Sequence, residues 1–199
     1  MSKEVLSGTS LAGMSTTRER VQDDYYATPY QATEMLLDEV KFYGNFLEPC
    51  VGGGHIVDVI KRYYPDECVY GVDLVDRGYP NTLVADFLKH DFLGQKFDNV
   101  VTNPPFSLAQ EFLEKSMEVV NDGGKIAMFL KIQFLEGAKR REMFKKYPPK
   151  YIYVFVKRQA PWNNGSPVDE KGKPWSSTMC FAWFVWEKGF TGEPVVRWL

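Results

Sequence analysis

Cysteine and histidine are scarce in this chain of 199 residues. It holds three of the first, Cys50, Cys68 and Cys180, and two of the second, His55 and His90. An odd number of widely spaced thiols excludes a disulfide framework, and neither residue type recurs at zinc-site spacing, so no metal is expected. Long apolar runs are also missing. No stretch reaches the roughly 20 residues of a membrane-spanning helix. The N-terminus lacks a basic segment followed by an apolar one, so a secretory signal is not expected. A reduced, cytoplasmic setting without membrane contact fits these absences. Internal repeats are absent as well, and the length suits one domain that buries a core unaided.

What is present is unevenly placed. The formal net charge is only -2, yet residues 131–173 carry 11 Lys/Arg against 4 Asp/Glu. A surplus that concentrated is the footprint a polyanion needs, although a solvated basic helix face would look the same. Residues 1–22 are rich in Ser, Thr and Gly without periodicity and read as a flexible arm. Residues 23–199 read as a single domain.

Along that domain, short apolar runs alternate with amphipathic stretches. In "TPYQATEMLLDEV", Thr28 has the place of an N-cap, Pro29 that of the first helical residue, and Gln31 would close a capping box. Phe46–Cys50 reads as a buried strand, followed by a glycine run and a helix with Ile56, Val59, Ile60 and Tyr63 on one face. "VYGVDL", "TLVADF" and "FDNVVT" are strands two to four. Ser107 and Gln110 form a second capping box, opening a helix faced by Phe112, Leu113, Val119 and Val120 and ending at Gly123-Gly124. "IAMFL" is strand five, a basic helix covers about 136–146, and "YIYVFV" and "MCFAWFVW" are strands six and seven. This alternation predicts an α/β sheet covered on both faces, whose ligands sit beyond the carboxyl ends of the strands. Trp183 and Trp186 are expected in the core.

The unusual residues fall at those ends. Gly52-Gly53-Gly54 follows strand one and would let a ligand approach backbone at a helix N-terminus, though a triple glycine is also an ordinary tight turn. Asp73 ends strand two, where a carboxylate can accept both hydroxyls of a ribose. Asp86 ends strand three and could accept from an exocyclic amine. A nicotinamide dehydrogenase is the competing reading, but its third fingerprint glycine would fall at Val57. Strand four runs into "NPPF", Asn103–Phe106, where two prolines stop the strand and stiffen its exit. His55 and His90 have no partner motif and read as structural.

With these residues in order, the sequence resembles the amino-group methyltransferases that use S-adenosylmethionine, above all the adenine-N6 DNA methyltransferases. "NPPF" is similar to their catalytic motif, "LEPCVGGGH" to their cofactor motif, and "ATPYQATEML" to their upstream Thr-Pro segment. The order of motifs resembles the γ arrangement, and the likeness covers roughly residues 25–186. It implies a class I methyltransferase fold, a seven-stranded mixed sheet of order 3-2-1-4-5-7-6. It implies S-adenosylmethionine as cofactor and S-adenosylhomocysteine as product. The cofactor would be held by Tyr26, Thr28, Glu48, Pro49, Gly52, Gly54, Asp73, Leu74, Asp86, Phe87 and Asn103. Asn103, Pro104, Pro105 and Phe106 would be the catalytic group. An aromatic amine is a poor nucleophile because its lone pair is delocalised. Acceptors on its two hydrogens, the Asn103 Oδ1 and the Pro104 carbonyl, favour the pyramidal form that attacks a methyl group. Phe106 would stack on a base that is flipped out or single-stranded, unless it only packs the loop.

The chain departs from that family in lacking room for a target-recognition domain, since only 16 residues separate Asp86 from Asn103. In length it resembles the small adenine methylases of phage and prophage. The one spare piece is residues 157–178, expected to form a substrate lid on the edge that carries the glycines and Asn103. It offers Lys157 and Arg158 for phosphates, Trp162 for stacking, and Gln159, Asn163 and Asn164 for base edges. DNA is the expected substrate. RNA bases, a protein glutamine amide and a catalytically silent nucleic-acid-binding subunit remain as alternatives. Short specificity leaves room for a homodimer or a specificity partner.

Overall fold

Short runs of Val, Ile and Phe do form the sheet, and the structure, a computed structural model, describes residues 25–199 of the chain. The proposed arm over residues 1–22 lies outside the described residues. Ten strands and four helices follow in order: β1 (Tyr26–Ala27), α1 (Tyr30–Glu39), β2 (Phe46–Glu48), α2 (His55–Tyr63), β3 (Val69–Asp73), β4 (Thr82–Val84) and β5 (Phe97–Thr102), then α3 (Ala109–Val119), β6 (Val120–Lys131), α4 (Arg140–Lys146), β7 (Tyr151–Val154), β8 (Trp162–Asn163), β9 (Phe181–Glu187) and β10 (Val195–Trp198).

The main sheet has eight strands in the order β10-β7-β9-β6-β5-β2-β3-β4. The seven expected strands stand within it in the expected sequence, so the α/β class I methyltransferase arrangement is present. The count of seven is corrected to eight. β10 adds itself in parallel to β7, and all four of its residues are exposed. An exposed edge strand has no buried face and so no alternation to read in the sequence. β9 runs antiparallel to both β6 and β7, which makes β7 parallel to the other strands and brings its carboxyl end to their edge.

Each face of the sheet has its own core. On one, Phe112, Leu113 and Met117 of α3 and Met143 of α4 pack with Val100, Ile126, Met128 and Trp186. On the other, Leu36 and Leu37 of α1 and Ile56, Val59 and Ile60 of α2 pack with Phe46, Val101, Phe129 and Trp183. Trp183 and Trp186 are fully buried. Each donates its indole N–H to a backbone carbonyl, of Ala32 and Tyr147 respectively, which removes the cost of burying that donor.

Several local expectations fail for identifiable reasons. Thr28 does not cap α1. Pro29 keeps an extended ψ of 137°, so it is the cap and the helix starts one residue later, without a side-chain cap. Ser107 and Gln110 form no box either. Phe106–Leu108 make a 3-10 turn, α3 starts at Ala109, and Gln110 Nε2 donates to Glu114 instead. Val120 belongs to β6 rather than to the helix face, and Tyr63 is exposed, its hydroxyl donating to Asp38.

Candidate active site

β2 lies between β3 and β5 and runs parallel to both, so Glu48, Asp73 and the residues after Thr102 end on one edge. After β2 the chain must reverse into α2 within a few residues. Gly52 and Gly54 do this with φ of 55° and 85°, values that disfavour any side chain. The turn is tied to its neighbour strand. The Asp73 carboxylate accepts from the Gly52 N–H at 2.7 Å through one oxygen and from the Val75 N–H at 3.0 Å through the other. Each oxygen retains acceptor capacity for a ligand hydroxyl. Leu74 is exposed beside it.

Asp86 lies two residues past the end of β4, in a turn. Its side chain accepts from the Leu88 N–H and pairs with Lys89 at 3.0 Å, and the Lys89 ammonium holds its pKa below the ordinary carboxylate value. Phe87, expected beside the cofactor, is core: it is 2% exposed and packs on Phe112 and Phe92.

Beneath the edge lies a set of buried polar atoms. Glu48 is fully buried; one oxygen accepts from the Cys50 N–H at 2.9 Å and the other meets no partner at hydrogen-bond geometry among the described residues. Burial pushes its carboxyl up to about 8, because the charged form loses its hydration. The hydroxyl of Thr28 is likewise buried without a partner among the described residues, and that of Thr102 is buried against the Glu48 carboxyl. Pro49 is buried next to Glu48. Unpartnered polar atoms gathered at one edge are the atoms a ligand would satisfy.

Asn103 follows directly on β5. Its Nδ2 donates to the Tyr26 carbonyl at 2.7 Å. A carbonyl only accepts, so this contact assigns the nitrogen to Tyr26 and leaves Oδ1 as an acceptor for something else. Pro104 is buried and Pro105 exposed. Phe106 is half-buried, with the Phe181 ring at 5.8 Å and the Lys131 ammonium 4.9 Å from its centroid.

Residues 157–178 turn back over this edge. β8 pairs antiparallel with β1, Asn163 opposite Tyr26 and Trp162 opposite Ala27. The Asn164 N–H donates to the Tyr25 carbonyl at 2.9 Å, and its Oδ1 accepts from the Tyr25 N–H at 3.3 Å. Trp162 is set edge-on to both Tyr30 and His55, which stack on each other at 5.0 Å. The indole expected to await a base is thus part of the packing over the glycine turn. Burial lowers the His55 pKa, consistent with a packing role. Gln159 is buried and donates to the Lys157 carbonyl, so it is not presented to base edges. Lys157 and Arg158 are exposed, Arg158 donating to the Ser177 carbonyl.

Two residues at this edge carried no motif. The Tyr25 ring lies over Gly52 and the Tyr79 ring over Gly54, where an added Cβ would meet them at 2.9 and 1.9 Å. Tyr25 also faces the Arg77 guanidinium at 4.5 Å, and the Tyr79 hydroxyl donates to Asp58. Paired aromatics before the Thr-Pro segment were the available signal for the first; nothing marked the second. Among the described residues no helix is long and apolar enough to cross a membrane, and no group of three or more side chains could hold a metal.

No protein-family model matches the sequence, and no curated protein matches it. Solved structures do. A putative class I S-adenosylmethionine-dependent methyltransferase from Listeria monocytogenes superposes with a TM-score of 0.59 at 17% identity, over 86% of this chain and 64% of its own. The methyltransferase subunit of a type I restriction-modification system from Streptococcus thermophilus gives 0.62 at 16%, over 87% and 47%. A putative RNA methyltransferase from Pyrococcus horikoshii gives 0.55 at 12%, over 83% and 88%. This chain thus spans about half to two thirds of the first two proteins. At these identities the likeness is one of fold.

Proposed function

We propose that this chain is an S-adenosylmethionine-dependent methyltransferase acting on the N6 amine of adenine in DNA. The observation that carries the reading is the Asn103 amide at the end of β5. Its nitrogen is taken by the Tyr26 carbonyl and its oxygen is left as an acceptor, beside a half-buried Phe106.

The residues at the edge fit the cofactor. The unpartnered Thr28 and Glu48 oxygens lie buried there, and the glycine turn already admits flat rings where a Cβ would collide. Asp73 would hold the ribose hydroxyls, Asp86 the adenine amine, and Gly52–Gly54 the methionine portion, with Tyr25 or Tyr79 giving way. When bound, S-adenosylmethionine supplies a methyl group on a sulfonium. Asn103 Oδ1 and the Pro104 carbonyl accept the two hydrogens of the target amine and favour its pyramidal, nucleophilic form. That contact strengthens as the amine changes geometry, which is where rate is gained. Asn103 has no basic site, so the proton leaves later, to water. Phe106 stacks on the extruded base, offsetting part of the unstacking cost with about 1–3 kcal/mol. The basic residues from Lys131 to Arg158 give the phosphates a surface.

An RNA base or a protein glutamine amide would meet the same acceptors. Incubation with methyl-labelled S-adenosylmethionine and plasmid DNA, total RNA or cell lysate separates these. Label in N6-methyladenine after digestion of the DNA is the expected result. Label confined to RNA or protein overturns the choice of substrate, and label in none of the pools overturns the reaction.

A further inference from the structure

We propose that Asn164, in the loop after β7, is a positioning residue: it holds the strand whose Tyr26 carbonyl orients the Asn103 amide. The proposal deepens the methyltransferase reading and rests on it for the catalytic meaning of Asn103. The geometry is a relay across three segments. Asn164 grips Tyr25 at both backbone groups, its N–H on the carbonyl at 2.9 Å and its Oδ1 on the N–H at 3.3 Å. Along an extended strand successive carbonyls point to opposite sides. The Tyr25 carbonyl points at the loop, so the Tyr26 carbonyl points away from it, and there it receives Asn103 Nδ2 at 2.7 Å. β1 has only two residues and, among the described residues, pairs with nothing but β8. Among the described residues, the loop is therefore what ties this strand into hydrogen-bonded structure on its far side.

Asn suits the position for two separate reasons. Its φ of 50° is left-handed, which Asn tolerates better than other residues with a side chain. Its side-chain oxygen supplies the acceptor for the Tyr25 N–H. Loss of the side-chain half of that grip leaves β1 held by its backbone bonds to β8 alone, so the Tyr26 carbonyl is less firmly placed and the Asn103 amide turns against a looser stop. Misplacement of a catalytic group by a fraction of an ångström lowers the rate of the chemical step more than it lowers ligand affinity.

Two variants divide these reasons. Asn164→Gly keeps the left-handed backbone and removes the acceptor; Asn164→Asp keeps both. In the intact chain, the Asn103 side-chain amide gives a proton–nitrogen resonance that is assigned by its disappearance in Asn103→Ala. We expect Asn164→Gly to move that resonance toward the value of a water-exposed amide and Asn164→Asp to restore it. Single-turnover methyl transfer should fall on the order of tenfold in Asn164→Gly, with S-adenosylhomocysteine affinity within about twofold of the parent. An unmoved Asn103 resonance in Asn164→Gly overturns the relay, whatever the activity. Parental single-turnover rates in Asn164→Gly overturn it as well. A parent that methylates nothing while the resonance moves leaves the positioning in place and discards the reaction instead.

Discussion

The Gly52 amide and the Asp73 carboxylate are joined by a hydrogen bond of 2.7 Å across a separation of 21 residues. One acid thereby fixes the glycine turn, and in the proposed reading the same acid takes the ligand hydroxyls. That reading couples binding and local order through one side chain.

Asp73→Ala should accordingly weaken S-adenosylhomocysteine by about 1–3 kcal/mol, since two ligand hydroxyls and the Gly52 and Val75 amides lose an acceptor. Calorimetry measures this, and thermal unfolding without ligand should show a lowered midpoint as well. Unchanged affinity would remove Asp73 from the binding site.

Asn103→Ala should bind S-adenosylhomocysteine nearly as the parent does while methyl transfer falls by about two or more orders of magnitude. The lost acceptor matters most as the amine becomes pyramidal. Transfer at the parental rate would end the proposed role of Asn103.

Glu48 makes stability depend on pH in an unusual direction. Its folded pKa, raised to about 8 by burial, exceeds the ordinary value near 4.5, so the folded state binds more protons between those limits. The stability it contributes is full below the lower value and is lost as pH rises toward the upper one. Glu48→Gln keeps an acceptor for Cys50 and cannot ionise. Its midpoint should exceed that of the parent at pH 8 by several degrees, with the gap closing at pH 5. A gap that widens on acidification would show that the carboxyl is charged in the fold.

The Lys157→Ala, Arg158→Ala double variant should weaken DNA binding across all sequences. The slope of log affinity against log salt should flatten by up to roughly two units, and cofactor affinity should hold. Binding equal to that of the parent at every salt concentration would move the nucleic-acid surface elsewhere.

How much of this was legible depended on range. "FDNVVT" is a strand because it is a compact run of mostly buried side chains, and "VYGVDL" pairs beside β2 with Val72 as its buried residue. The glycines, Asp73 and Asn103 fall at strand ends because the sheet is parallel. Both facts are local or follow from topology. The pairing of Tyr26 with Asn163 is neither: two residues show no period, and their partners lie far along the chain. Trp162 was read as an open stacking ring because nothing in its neighbours announces Tyr30 and His55. Thr28 has the sequence of a cap, but the extended ψ of Pro29 starts the helix one residue later and leaves the hydroxyl out of reach of its first turn.

The loop over the active edge is held at both ends by bonds that belong to the sheet. Val156 donates to the Leu199 carbonyl at 2.8 Å where the loop departs, and Ile132 donates to the Cys180 carbonyl at 2.9 Å where it returns. β7 and β9, which carry those posts, are paired directly with each other. What hangs between them can lengthen, shorten or be exchanged without altering the register of a single strand of the main sheet. In evolutionary terms the scaffold and the loop are separable parts. If the loop selects the target as proposed, a change of target would call for a new span between two fixed anchors, subject to one constraint: the new span would have to reach Tyr25 again.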